Sequence, residues 1–349
     1  MLKHVLATLT IALGSGAGAM AQDLPKTHFK VIGLNSPTPV STVDELPFWR
    51  TTIPDASNGS ITADITPQDL MGIDEAAGLR LLKLGVMDFA GLDISKMAGD
   101  DPRFEGCDLA GLTLTPDEAR KACDAYRDVI DQQMQKNWNA KLLAFGGNNP
   151  QVFWCRDNIS SLEDLRGKKV RVFNNSMRDF LSGVGATAVS MSFAEAVPAL
   201  SNGVIDCAVT GTLSGNIGGL NEVASTLYAI PLGWSIVIQA VNLNTWNRLD
   251  PDVQQFMQDQ FRAFEHKMWE TVKLTTEEAV NCNTGKEPCT MGKLAQISIV
   301  TPGEQDEAAR MKLLQDAIIP GWAQRCGAEC AQEWNESVGK ALGASAPAP

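Results

Sequence analysis

Histidine is scarce in this chain: there are three among 349 residues. One of them, His4, falls in the first few residues, which leaves His28 and His266. There is no H-E-x-x-H, no Gly-x-Ser-x-Gly elbow and no C-x-x-C pair. These absences remove the zincin and hydrolase nucleophile patterns and the compact zinc sites. Acidic pairs are plentiful but none is singled out by its setting, so an exported enzyme acting on a small acid stands only as an alternative. Basic residues are also short, 29 against 41 acidic ones, for a formal charge of -12. Such a surface repels nucleic acid and gives no broad attraction to an anion. An anionic ligand would need a local cationic clamp inside a closed cleft. Past the first residues no apolar run reaches the roughly 18 residues of a membrane span.

What is present begins with an address. Lys3 and His4 precede the apolar run Val5–Leu13, and small residues end in Ala19-Met20-Ala21. That is the layout of a secretory signal with an A-x-A cleavage site. Residues 1–21 are therefore expected to be a signal peptide, with a mature chain from Gln22 released to the periplasm without a lipobox cysteine. Eight cysteines agree with export: Cys107, Cys123, Cys155, Cys207, Cys282, Cys289, Cys326 and Cys330. Disulfides are the favoured reading in an oxidising compartment. Connectivity does not follow from sequence. Neighbour pairing, Cys107–Cys123, Cys155–Cys207, Cys282–Cys289 and Cys326–Cys330, is the working expectation. The last pair is the awkward one, since i,i+4 positions on a regular helix are poorly placed for a bridge.

Removing 21 residues from 349 leaves 328, a length that suits two domains. Strand-like segments recur at Phe29–Leu34, Ser60–Ile65, Asp88–Leu92, Lys141–Phe145, Lys169–Phe173 and Ile236–Asn242. Helical patterns alternate with them. Asp74–Leu84 has apolar residues at helical spacing. Thr115-Pro116 caps a long stretch to Trp138, and Asp250-Pro251 caps another to about Val280. Ser161-Leu162-Glu163-Asp164 reads as a capping box before a short turn. Strand–helix alternation predicts an α/β fold. The Ala/Pro-rich tail from Gly343 is expected to be disordered.

Residues 161–210 carry the most information. In Lys169-Val170-Arg171-Val172, alternation puts the two valines on one face and Arg171 on the other, facing solvent or a cleft. Arginine presents a rigid donor fork that matches a carboxylate. Phe193–Leu200 then reads as a short helix capped by Ser192, and Val204–Ala208 as a strand with Thr210 at its end, where ligands gather in open α/β sheets. A helix, a glycine and a strand bearing an aspartate also occur at Leu81–Ala90, which hints at two similar lobes.

These words together resemble the substrate-binding proteins of tripartite ATP-independent periplasmic (TRAP) transporters, the DctP-like family. The matching segments are SLEDLRGKKVRV (161–172), GATAVSMSFAEAVPALSNGVIDCA (185–208), RLLKLGVMDFAGLD (80–93) and VNLNTWNRLDPDVQQFM (241–257). The resemblance covers almost the whole mature chain. It implies a two-lobed periplasmic binding protein fold with a hinge and a long helix spanning both lobes. The implied division is 22–147 plus about 237–280 for lobe I, and 148–236 plus about 281–340 for lobe II and C-terminal helices. It implies a small organic acid ligand, integral membrane permease subunits as partners, a monomer and no cofactor. Arg171 would pair with the ligand carboxylate. Thr210 stands where relatives often place an asparagine. Glu195 corresponds to a structural glutamate. Gln68 and Asp93 lie near positions that face the cleft in relatives. Many relatives also carry an arginine about twenty residues before the strand arginine. Here that stretch, GGNNPQVFW (146–154), has none, and Asn148, Asn149 and Gln151 offer neutral hydrogen bonds instead. A monocarboxylate is therefore expected. Trp154, Phe193 and Trp234 are candidates for an apolar wall. A binding protein of an ATP-driven importer shares the two-lobe plan and is the remaining alternative.

Overall fold

The computed structural model describes residues 24–349, so the expected signal peptide lies outside the described residues. Eleven strands appear among them: β1 (Thr27–Gly33), β2 (Ile61–Pro67), β3 (Phe89–Asp93), β4 (Ala140–Gly146), β5 (Gln151–Cys155), β6 (Lys169–Val172), β7 (Thr187–Ser190), β8 (Cys207–Gly211), β9 (Thr226–Tyr228), β10 (Val237–Asn242) and β11 (Ser298–Val300). They form two mixed sheets, one for each lobe. The first has the order β2-β1-β3-β10-β4, and the second β11-β9-β5-β8-β6-β7. In the first, β1 runs parallel to β2 and β3, while β10 is antiparallel to β3 and β4. In the second, β6 runs parallel to β7 and β8, and β5 is antiparallel to β8 and β9.

Helix signals in the sequence act locally as physics requires. Asp74 caps the helix Glu75–Lys83 by accepting from Ala77 N. Thr115 closes a capping box with Glu118 ahead of Pro116–Trp138, so two orphan donors of the first turn are satisfied. Asp250 caps Pro251–Thr284, 34 residues long. This helix is the spine of the molecule. Its first half packs on β4 and the 40–45 turn of the first lobe, and its second half on the helix Thr212–Gly218 and β11 of the second.

Three stretches cross between lobes: residues 147–150, residues 229–236 and the long helix. The first two are tied together. Asn148 N donates to Trp234 O (2.7 Å), and Gln151 N to Gly233 O (2.8 Å). Asp108, fully buried, accepts from Trp234 N (2.8 Å) and Ile236 N (3.3 Å) and so braces the second crossover. Burial pushes this carboxyl up to about 8, against the hydrogen bonds from the backbone.

The core follows the sheets. Phe29, Trp49, Phe89 and Phe261 fill one face of the first sheet. Val152, Trp154, Ala196, Leu200 and Ile205 fill the outer face of the second. All four expected disulfides form. The Cys326–Cys330 pair does not sit on one regular helix. The helix Ile319–Cys326 ends there, and Gly327 at φ +87 starts a new one, Ala328–Trp334. That break brings the two Cα atoms to 5.6 Å.

Three expectations need correction. The strand expected at Val204–Ala208 begins at Cys207, because Val204–Asp206 form the turn that returns the chain from the preceding helix. Strands β5, β9 and β11 were not anticipated, being too short or too uniformly apolar to show a period. The tail expected to be disordered from Gly343 folds back instead. Asn335 bonds both the N–H (2.7 Å) and the carbonyl (2.9 Å) of Ala346, which is buried.

Candidate functional site

The C-terminal ends of β1, β2 and β3 in one lobe face those of β6 and β8 in the other. A cleft lies between them, with about 530 Å³ of empty space including its mouth. Much of that space is the mouth, so the enclosed part is small; strand ends are where small-molecule sites form. Its walls carry Gln68 and Asp93 from the first lobe, Arg171, Phe193 and Thr210 from the second, and Asn148 from the first crossover.

Arg171 is the central cation. Val170 and Val172 point into the core behind β6, so alternation sends Arg171 the other way, into the cleft. The residue is 2% exposed. Its Nε donates to Met191 O (3.1 Å) and its Nη1 to Val209 O (2.7 Å). Two backbone carbonyls thus fix the orientation of the fork without neutralising it. The ring of Phe173 lies under it, 5.1 Å from the guanidinium carbon, and contributes a weak cation–π attraction. No carboxylate among the described residues comes within 4 Å of it. Burial pulls this group down to about 10, and the more distant Asp93, Glu75 and Glu195 only partly oppose that. A buried cation without a partner is costly, and a carboxylate delivered by a ligand removes the cost.

Lys96 is the second cation on the wall, and the sequence reading did not single it out. It follows β3 by one short turn. Its Nζ sits 2.7 Å from Glu75 Oε1 and 3.4 Å from Asp93 Oδ2. Burial works against the ammonium, but the two carboxylates outweigh it and raise the group. Lys96 is therefore already neutralised. A signal did exist: Asp93 and Lys96 stand at i,i+3 just beyond a strand end.

The remaining wall groups are mostly committed. Asp93 caps the turn Ile94–Met97 through Ser95 and accepts from Ser235 Oγ. Gln68 Nε2 donates to Glu75 (3.1 Å). Asn148 Nδ2 donates to Ser235 O (3.0 Å), and its buried Oδ1 has no partner. Ser214 Oγ, also on the wall, is buried and unpartnered. Leu34, Val40, Phe173, Phe193 and Val237 supply apolar surface.

Three residues proposed from sequence lie elsewhere. Asn149 turns away from the cleft and bonds Thr275 (2.8 Å) and Thr276 (3.2 Å) of the long helix. Trp154 lies on the far face of β5, where Gly215 leaves room for its ring. Trp234 is packed into the main core beneath the crossover. Both indoles were misplaced because an apolar side chain beside a cleft segment reads the same in sequence as one behind it. Glu195 is outside the cleft wall and accepts from Ser192 N (2.9 Å) in its own helix cap. Cys282 and Cys289 come together with Glu278, but both sulfurs are in their disulfide and neither is left to hold a metal.

A model of bacterial extracellular solute-binding proteins, family 7, matches residues 37–313. A Haemophilus influenzae protein of uncharacterised function is 25% identical over 247 residues, 70% of this chain and 74% of its own. A monocarboxylate 2-oxoacid-binding periplasmic protein of a Nostoc species is 30% identical over 129 residues, about a third of each chain (36% and 35%). Among solved structures, an extracytoplasmic solute receptor of Bordetella pertussis that binds pyroglutamic acid superimposes with a TM-score of 0.78 at 19% identity, over 89% of this chain and 99% of the other. A TRAP periplasmic solute-binding protein of Haemophilus influenzae with bound L-gulonate does so with 0.78 at 20%, over 90% and 100%. At these identities the two structures establish the fold.

Proposed function

This chain belongs to family 7 of the bacterial extracellular solute-binding proteins, and on that premise we propose that it captures a small organic monocarboxylate in the periplasm and delivers it to a TRAP-type membrane permease. The observation that carries the acid is the unpaired guanidinium of Arg171, enclosed between lobes and oriented by Met191 O and Val209 O. The observation that favours one carboxylate over two is the pairing of Lys96. With Glu75 and Asp93 already on it, a second carboxylate would meet two negative neighbours and no free cation. The solved relatives hold pyroglutamate and gulonate, each with a single acid group; another, from Sulfurospirillum deleyianum, holds succinate.

Binding would close the lobes on the crossovers and the long helix; residues 102–111, bonded to Asn175, Ser176, Arg310, Trp322 and Trp334, would move with 148–236 plus about 281–340 and not with the rest of 22–147 plus about 237–280. Contacts from both bodies to one ligand shift the hinge equilibrium toward closure. The closed monomer is the form offered to the permease. The deciding experiment is calorimetry of the mature protein against a panel of mono- and dicarboxylates, with Arg171→Ala alongside. Loss of about 2–5 kcal/mol, roughly thirtyfold to several-thousandfold in Kd, is expected from removing one partner of an enclosed charge pair. Unchanged affinity in a folded Arg171→Ala protein would overturn the assignment.

A further inference from the structure

Arg171, Lys96, Phe173 and Phe193 line two spaces, not one. The inner space is the cleft described above. The outer one is larger, with about 1140 Å³ of empty space including its mouth, and opens toward solvent. It straddles the lobes. Pro37 and Ile73 come from the first lobe, and Met191, Phe193 and Ala194 from the second.

The two spaces differ in chemistry. The inner one sets amides and hydroxyls, Gln68, Asn148, Gln151, Thr210 and Ser214, beside its apolar wall. The outer one presents aliphatic and aromatic side chains that are only half covered: Ile73, Phe173, Met191 and Phe193 are each partly exposed. Its polar groups are already used. Both carboxylate oxygens of Asp69 hold Ser36 (2.8 and 2.5 Å), Asp74 caps its helix at Ala77 N (2.7 Å), and Glu75 receives Lys96, Gln68 and Asn35. It has no cation beyond those shared with the inner space, and two exposed carboxylates, Asp69 and Asp74, stand at its edge.

We propose that the solute is an elongated carboxylic acid whose apolar body extends from Arg171 into this outer chamber, between Ile73 of one lobe and Met191 and Phe193 of the other. This rests on the reading of Arg171 as the carboxylate anchor. Continuity is the reason for that occupant. The chamber begins at the guanidinium itself, so a ligand held there has only two directions for its remaining atoms. The inner direction offers polar partners and little room, while the outer offers apolar surface from both lobes. Closure over an apolar body buries half-exposed side chains on each side, so the ligand's tail contributes to holding the lobes together. The rim carboxylates disfavour a second acid group at the far end.

The test is calorimetry on the mature chain with straight-chain monocarboxylates from propanoate to octanoate, phenylacetate, succinate and gluconate. Affinity is expected to rise roughly fourfold for each methylene that becomes buried, with phenylacetate above propanoate and both succinate and gluconate below octanoate. Ile73→Ser and Ala194→Asn, one substitution on each lobe, are expected to flatten that rise while leaving propanoate unchanged. Thermal unfolding of both variants separates a local effect from a folding defect. Arg171-dependent binding that is flat or falls with chain length, as expected of a mere entry passage, overturns this proposal and leaves the anchor standing. Tighter binding of succinate or gluconate than of octanoate overturns it equally. Binding of no acid, or binding indifferent to Arg171→Ala, overturns the anchor and the chamber together.

Discussion

Lys96 and Glu75 form a partly buried ion pair at 2.7 Å on the wall of the cleft, and this pair leaves Arg171 as the cation without a carboxylate there. The arrangement makes charge count, and not only shape, a determinant of ligand choice. Glu75 also receives Gln68 and Asn35, so it is the hub of the acidic side of the site.

Glu75→Gln should therefore relax selectivity toward dicarboxylates. With Glu75 neutral, Lys96 keeps only the 3.4 Å contact to Asp93 and becomes available to a second acid group. The expected outcome is a gain of about tenfold in succinate affinity relative to a monocarboxylate of the same length, in line with the size of close charge couplings. Competition calorimetry measures the ratio directly. No change in that ratio would mean that Lys96 does not face the ligand.

The buried carboxyls predict an unusual pH profile. Burial raises Asp108 to about 8, Glu45 and Glu105 to about 7, and Asp44 to about 6. Each is then higher folded than unfolded, so the folded state holds protons that the unfolded state has lost. Stability is full below the unfolded carboxylate range near pH 4 and falls as pH rises toward each folded value. The melting temperature should decline from pH 5 to pH 8 and level off above that. Asp108→Asn should remove part of the decline. It should also lower stability at pH 5, because the amide nitrogen faces a backbone donor that the carboxyl accepted from. A melting temperature that rises across this window would refute the assignment.

Disulfides should rank by the loop each one closes. Cys155–Cys207 spans 52 residues and joins β5 to β8 across the middle of the second sheet, whereas Cys282–Cys289 spans 7. Chain-entropy reasoning gives about 4 kcal/mol for the first and about 2 kcal/mol for the second. Paired Cys→Ala substitutions followed by denaturant unfolding check both the order and the size. The comparison is sharper than wholesale reduction, which acts on all bridges at once.

Much of this site was legible in sequence where a local rule dictated the outcome. The valines on either side of Arg171 demand the core, so a period of two puts Arg171 on the opposite face; that this face meets a cleft and not solvent came from the family resemblance and not from the period. Thr115 and Asp250 start their helices because each meets a backbone donor in the first turn. Legibility stopped where contacts are distant in sequence. Lys96 has a local partner in Asp93 at i,i+3, but its shorter pairing is with Glu75, 21 residues earlier. Trp154 and Asn149 flank the cleft segment but turn to the outer face and to the long helix, which only the packed fold decides. The Cys326–Cys330 bridge looked awkward until Gly327 was seen to break the helix between its ends.

Ser235 is the residue at which hinge and site meet, and its backbone makes a last prediction. It has φ +47, in the left-handed region that a non-glycine side chain enters at a cost. Two anchors hold it there: Asp108 grips the N–H groups of Trp234 and Ile236, and Asp93 accepts from the Ser235 hydroxyl. Ser235→Ala keeps the strain and loses the hydroxyl bond, so it should destabilise the protein by about 1–2 kcal/mol. Ser235→Gly loses the same bond but relieves the strain, and should recover about half of that loss. Both substitutions leave Asp93 Oδ2 with only its 3.4 Å contact to Lys96 beside the cleft and should weaken binding of a carboxylate by a similar factor. Denaturant unfolding and calorimetry on the two variants separate the effects, because stability should differ between them while affinity should not. If Ser235→Gly is the less stable of the two, the positive φ is not strained in this crossover.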